Sequence, residues 1–267
     1  MTKISVLGCG WLGLPLAENL IKNGFTIKGS TTSIEKMPVL ESIGVQPFLI
    51  ALSEKEILGA MATFLENSKI LIIAIPPQLR GLATENFVAK ISNLIAYLEQ
   101  SSVSQVLFVS STSVYKDDNM VVTEDTLAEP ATESGKQLLA CEQLLLSNKN
   151  FETTIIRFGG LIGPNRNPAR FLAGRKNIEN PNAPINLIHQ EDCIGMIMKI
   201  ITNNVWNEIF NGVAPFHPTR MLYYTKKAAE LHLESPHFNS DVVSNGKTIS
   251  SEKAMRILEY EFQFKAL

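Results

Sequence analysis

The chain has 267 residues, of which 45% are hydrophobic and 19% charged, and a formal net charge of -2. That length accommodates one sizeable core, or one domain with a smaller lobe, and so slight a charge supplies no field for nucleic acid or an acidic membrane surface. A small-molecule partner is expected. Three cysteines, Cys9, Cys141 and Cys193, are far apart and lack C-x-x-C spacing, so neither a disulfide framework nor a metal site is expected. No apolar run approaches the ~18 residues of a membrane span, and the N-terminus enters a strand without a signal-type segment. A soluble, cytoplasmic protein is the expectation.

The first stretch, KISVLGCGWLG, reads as strand, tight turn and helix. Its glycines, Gly8, Gly10 and Gly13, have the spacing G-x-G-x-x-G, which suits a turn, room for a pyrophosphate and close packing of helix on strand. The helix start adds free N–H groups and the positive end of a dipole. A second strand over Phe25 to Gly29, a short helix over Ser33 to Ile43 and a strand over Gln46 to Ile50 follow. Ser53-Glu54-Lys55-Glu56 matches a capping box, predicting a helix through Ile57, Met61, Phe64 and Leu65. The apolar run Lys69 to Ile75 reads as a strand buried on both faces, ended by Pro76-Pro77. Helical spacing over Thr84 to Gln100, a strand over Gln105 to Ser110, a helix over Glu133 to Ser147 and a strand over Thr153 to Phe158 continue the alternation. A short strand over Ile185 to His189 and a helix over Glu191 to Thr202 complete it.

This alternation predicts an α/β fold, a doubly wound parallel Rossmann sheet with a small C-terminal α/β lobe on the substrate side. Residues 1–160 form the expected nucleotide-binding core, with 185–212 returning to the sheet, and 161–184 and 213–267 form the lobe. Ligands of such sheets bind beyond the carboxyl ends of the strands. The expected cofactor contacts are therefore Gly8, Cys9, Gly10, Trp11, Leu12 and Gly13 in the turn, and Ser30, Thr31 and Thr32 after the second strand. Ala74, Ile75 and Pro76 join them, with Ser110, Phe158 and Gly159 at later strand ends. An NAD site usually places a carboxylate after the second strand, and Lys28 to Ser33 has none. Small hydroxyls with Lys36 nearby suit a 2′-phosphate, so NADP is the expected cofactor and NAD the alternative. In the blander reading Ser33 caps the helix and Lys36 faces water.

Three later segments go together: Ser110-Ser111-Thr112-Ser113-Val114-Tyr115, Arg157-Phe158-Gly159-Gly160 leading to Gly163-Pro164, and His189-Gln190-Glu191-Asp192. With the glycine-rich start they cover about residues 1 to 215, and there the chain resembles the epimerase/dehydratase branch of the extended short-chain dehydrogenase/reductase family. The G-x-G-x-x-G turn, the Pro-Pro strand end and the SSTSVY string bring it nearer to that family's atypical YeeZ-like subgroup. The resemblance implies an NAD(P)-dependent oxidoreductase or epimerase acting on a sugar-like, other small polar or anionic substrate, and it leaves room for a homodimer. It implies Ser111 and Thr112 as catalytic hydroxyls, and His189 either at the substrate pocket or ordering the helix entry with Asp192. By location Tyr115 is a stand-in acid/base or a packing or substrate-contact residue, and Gly160 and Arg170 are placed on the substrate side.

One departure bears on the chemistry. The family's Y-x-x-x-K pair falls on Ser134 and Leu138. Thr132 and Lys136 have that mutual spacing but lie two residues out of register, turned by about 200° on a helix. A tyrosine near pKa 10 drawn down by an ammonium makes a useful acid/base, and a serine alcohol does not. The alternative function is a non-catalytic NAD(P)-binding regulatory or redox-sensing protein. A reductase of another Rossmann family shares the glycine turn and the Ile-Pro-Pro strand end, but not the SSTSVY string. Arg166, Arg170 and Arg175 read equally as an anion grip or as a solvated surface, while His217, His232 and His237 read as solvated and Cys9 as a small turn residue.

Overall fold

The computed structural model describes residues 2–77 and 86–265. Seven parallel strands form one sheet: β1 (Lys3–Leu7), β2 (Thr26–Thr31), β3 (Gln46–Leu49), β4 (Ile70–Ile73), β5 (Gln105–Ser111), β6 (Glu152–Phe158) and β7 (Ile209–Gly212). Their order is β3-β2-β1-β4-β5-β6-β7. The chain winds outward from β1 to β3 and then crosses to the other side at β4. The switch point therefore lies between β1 and β4, where a crevice opens beyond the strand ends.

Helices α1 (Gly13–Lys22), α2 (Met37–Ser42), α3 (Met61–Leu65), α4 (Phe87–Leu98), α5 (Glu133–Ser147), α6 (Ala169–Leu172), α7 (Gln190–Thr202), α8 (Arg220–Glu230) and α9 (Glu252–Ile257) connect and flank the strands. Leu16, Ala17 and Leu20 of α1 share one buried cluster with Met196, Ile197 and Ile200 of α7. Phe64 of α3, Ile91 and Leu94 of α4 and Leu138 and Leu145 of α5 belong to a second, on the opposite face. Ile70 to Ile73 are all buried, because helices cover both sides of that strand.

The predicted α/β alternation is present, with three local differences. Ser53 to Glu56 opens no helix. The Ser53 hydroxyl accepts the Glu56 amide at 3.0 Å inside a turn joining two antiparallel segments, Ala51–Leu52 and Ile57–Leu58, and the helix starts only at Met61. A capping box and a hydroxyl-closed turn use the same local bond, and the hairpin pairing decides between them. Leu187–His189 does not join the main sheet but pairs with Gly160–Ile162 in a small one, and the return to the main sheet is made by β7 against β6. The Ser33 hydroxyl donates to the Glu35 carboxylate at 2.5 Å and caps no helix. Thr84 and Glu85, at the predicted start of α4, lie outside the described residues.

Asp192 fixes the C-terminal segment. Its fully buried carboxylate accepts the Tyr260 hydroxyl at 2.8 Å, the Gln263 amide at 2.8 Å and the Phe264 amide at 3.2 Å. Hydrogen bonds to a charged group contribute about 1.5–3 kcal/mol each when buried. Asp192→Ala is expected to lower stability by about 3 kcal/mol in urea unfolding and to expose the amides of Gln263 and Phe264 to hydrogen exchange. An unchanged unfolding midpoint would remove Asp192 from this role.

Candidate cofactor and catalytic site

The first glycine turn is built by close approach. Gly8 has φ +100°, and a Cβ on Gly13 would lie 2.1 Å from the Gly8 carbonyl oxygen, so α1 can pack this near β1 only without a side chain at position 13. β2 holds the turn from beside it: the Gly8 amide donates to Ser30 Oγ at 2.9 Å and the Cys9 amide to the Ser30 carbonyl at 2.8 Å. The first helical bond is Leu14 N–H to the Gly10 carbonyl, so the amides just before it have no acceptor within the helix. A Cβ on Gly10 would meet nothing within 4 Å. The space beyond the turn is thus open where a phosphate would approach.

Gly8, Cys9, Gly10, Ser30, Thr31, Thr32, Ala74, Ile75 and Pro76, drawn from the ends of three strands, line one cavity of about 450 Å³. Lys36 and Lys90 line it as well, and among the described residues no carboxylate does. Leu7 at the end of β1 lines it too, and Ile50, Ala51, Leu52 and Phe87, which sequence reasoning missed, complete the wall. They carry no polar signature and belong to the β3 exit and the α4 start, which only the fold places beside the turn.

The other expected cofactor contacts are placed differently. Trp11 points toward the later loop: its indole N–H donates to the Pro164 carbonyl at 2.8 Å, and Arg166 lies over its ring at 5.0 Å. Leu12 and Gly13 are buried beneath the turn. Phe158 is 2% exposed, and its ring fills the space beside Gly212, so its side chain is core and not ligand wall. Ser110 donates its hydroxyl to Glu142 at 2.5 Å inside the protein. Gly159 has its amide bonded to the Gly212 carbonyl and lies against the carbonyl of Asn186.

Among the expected catalytic residues, Ser111 remains at the strand end, where its hydroxyl accepts the Ser113 amide at 3.1 Å. Thr112 is buried in the turn that follows. Ser134 is half-buried in the first turn of α5, whose Gly135 lies against the Ser113 carbonyl, and Leu138 is 3% exposed in the core. The Tyr115 hydroxyl does not reach the carboxyl edge. It accepts from Arg157 at 2.6 Å and donates to Asn211 at 3.1 Å, and Tyr115 is 2% exposed. Burial pushes its phenol above the usual range, against the pull of the Arg157 guanidinium. A buried phenol bonded on both sides fits the packing reading of Tyr115 better than a role as acid/base.

The residues missed by sequence reasoning are the rest of that network. The Arg157 guanidinium forms two bonds to the Glu142 carboxylate through Nε, at 3.1 Å each, and a third through Nη2 at 2.5 Å. Both residues are almost fully buried. Burial pulls the guanidinium pKa down, but Glu142 outweighs it and holds the pKa raised. Glu124 accepts the Asn211 amide at 2.7 Å, and Lys247 donates to the Tyr115 carbonyl at 2.6 Å while pairing with Asp117 at 3.1 Å. A usable signal was a charge within an apolar pattern: Glu142 beside Cys141 on the Leu138 and Leu145 face, and Arg157 inside TTIIRF. The ion pair ties α5 to β6 beneath the edge where Ser111 and Ser134 sit.

The expected substrate residues are not gathered around one cavity. Gly160 backs onto Leu187, Arg170 is exposed on α6, and His189 caps α7, its Nδ1 accepting the Glu191 amide at 3.3 Å and its ring stacked on Phe264 at 3.7 Å. All three cysteines are buried, and burial pushes Cys9 and Cys141 up to about 12. Among the described residues no cluster suits a metal ion, and no helix is long and apolar enough to cross a membrane.

Protein YeeZ of Escherichia coli strain K12 is 31% identical over 266 residues, spanning 99% of this chain and 97% of its own length. The chain belongs to the YeeZ family. No family model matches it. A Methylobacillus flagellatus structure described as a candidate NAD-dependent epimerase/dehydratase superposes with a TM-score of 0.83 at 25% identity, covering 99% of this chain and 94% of that one. UDP-glucuronic acid 4-epimerase of Bacillus cereus, solved in complex with NAD, gives 0.80 at 17% identity over 98% and 92%, which shows a shared fold.

Two measurements test this geometry of the YeeZ-family chain. Glu142→Leu and Arg157→Met are each expected to cost about 3–5 kcal/mol in chemical unfolding, because each leaves a buried charge unpaired, while Glu142→Leu/Arg157→Met costs clearly less than their sum. Additive losses would mean that the pair does not act as a unit. At pH 8 the thiols of the folded chain are expected to react with a disulfide reagent orders of magnitude more slowly than those of the unfolded chain, since thiolates form only near pH 12 at Cys9 and Cys141. Rapid labelling of the native protein would contradict this.

Proposed function

We propose that this chain binds NADP(H) through the turn at Gly8–Gly13 and acts as an epimerase/dehydratase-like oxidoreductase on a sugar-like or other small polar substrate. The observation that carries this reading is the cavity formed by the glycine turn with the ends of β2 and β4, open beyond Gly10. The donor set fits such a cofactor: backbone amides and a helix start for a pyrophosphate, and Thr31, Thr32 and Lys36 for a 2′-phosphate. The lack of a carboxylate among the described lining residues favours the 2′-phosphate form over a free ribose hydroxyl. The relatives solved with NAD support a nicotinamide dinucleotide in general. A bound nicotinamide would supply hydride transfer.

The chain's own groups then bind and orient. Ser111 accepts a backbone amide, which leaves its hydroxyl proton available to a substrate oxygen at the carboxyl edge. Ser134 is placed to do the same. Neither alcohol titrates near neutral pH, and the phenol of Tyr115 is engaged inside the core. This division supports a second reading: a cofactor-binding protein that responds to the oxidation state of the nucleotide without turning it over. Thiol-based sensing is disfavoured by the burial of all three cysteines.

Titration of the protein with NADPH and NADH separates these statements. Lys36→Ala is expected to weaken NADPH by about tenfold, roughly 1.4 kcal/mol, with NADH unchanged. Gly10→Ala is expected to keep the melting temperature, since its methyl meets no protein atom, and to weaken both nucleotides. No NADPH binding by the wild type would end the proposal. Stoichiometric binding without oxidation or reduction across sugars, nucleotide sugars and simple carbonyls would favour the sensing reading.

A further inference from the structure

The first turn of α1 contains a proline. Pro15 stands four residues after Trp11, where a helix would supply the amide for the Trp11 carbonyl, and a proline nitrogen has no hydrogen to give. The carbonyls on either side are satisfied in the helical way, Gly10 by the Leu14 amide at 3.0 Å and Leu12 by the Leu16 amide at 3.1 Å. Trp11 finds its donor elsewhere. Gln190, the first residue of α7, donates through Nε2 to the Trp11 carbonyl at 2.6 Å. Its side chain is 8% exposed, so the packing around it fixes where that donor lies.

Two further contacts hold the same junction. The Trp11 indole N–H donates to the Pro164 carbonyl at 2.8 Å. Gly163, at φ +150°, leaves the room for this meeting, since a Cβ there would lie 3.0 Å from Gln190 Cβ and 3.2 Å from the Trp11 ring. A trans peptide is planar, with its C=O and N–H pointing in opposite directions. A bond that holds the Trp11 carbonyl therefore also sets the Leu12 N–H, which has no acceptor among the described residues and points beyond the N-terminal end of α1.

We propose that Gln190 is a positioning residue of the cofactor site: it replaces the amide missing at Pro15 and so holds the Leu12 N–H toward a pyrophosphate at the glycine turn. This rests on the reading of that turn as a dinucleotide site. It joins nucleotide affinity to α7, the helix whose Asp192 anchors the C-terminal segment.

Titration with NADPH and NADH tests the donor. Gln190→Leu removes it, and Gln190→Glu keeps the shape while an ionised carboxylate can only accept. At pH 8 each substitution is expected to weaken both nucleotides alike, by about tenfold, whereas Lys36→Ala moves NADPH alone. Pro15→Ala restores an amide four residues past Trp11, and in that background Gln190→Leu is expected to cost no more than about twofold. A packing role for Gln190 predicts equal losses in both backgrounds, and that result overturns the proposal. Unchanged affinity in Gln190→Leu and Gln190→Glu, with nucleotide bound by the wild type, overturns it too and leaves the cofactor reading standing. Binding of neither nucleotide by the wild type ends both. Should the Gln190 variants not fold, hydrogen exchange at the Gln190 side-chain amide of the unaltered chain decides: slow exchange that NADPH slows further supports the proposal. Exchange at the rate of a solvated amide, or no response to NADPH, overturns it.

Discussion

The contact on which the site depends is the one between Gly13 and the carbonyl of Gly8. With no side chain at position 13, α1 starts directly against β1, and this fixes where its free amides lie. Ser30 then pins the turn from β2 through two bonds, one to its hydroxyl and one to its carbonyl. Because β1 lies at the switch point, the turn faces the ends of β2 and β4 together. The cavity is a consequence of sheet order as much as of glycine.

Beneath the other half of the carboxyl edge, the constraint is electrostatic. Glu142 and Arg157 are nearly devoid of solvent and satisfy each other, while Ser110 donates to Glu142 and Tyr115 accepts from Arg157 and donates to Asn211. Such a pair adds little net stability relative to an apolar replacement, and it strongly penalises any packing that separates its members. It therefore fixes the register of α5 on β5 and β6 at a place where Leu138 contributes only apolar packing. The same network explains why Tyr115, close to Ser111 in sequence, is no acid at the edge. Its backbone turns at Thr112 to Val114 and carries the phenol into the interior.

Around the glycine turn the donors are backbone amides and hydroxyls with two lysines, a surface suited to a long nucleotide with separated phosphates.

The α/β alternation and the glycine turn between β1 and α1 were legible in the residues. Glycine spacing and apolar periodicity act over a few neighbours and need no tertiary partner. Glu133–Ser147 was readable for this reason, since its length and cap are local properties. The hairpin at Ser53 was not, because a serine hydroxyl that accepts an amide three residues ahead looks alike in a turn and a helix until Ala51–Leu52 finds Ile57–Leu58. Phe158, Ser110 and Tyr115 were likewise undecidable, since a residue at a strand end turns into the core or out of it according to which helix lies below. By itself the sequence determined a parallel α/β sheet with a glycine turn after its first strand. Tertiary structure alone decided which strand-end residues meet in one cavity, that Glu142 and Arg157 bury their charges together, and that Gln190 reaches the Trp11 carbonyl, because each depends on contacts between segments far apart along the chain.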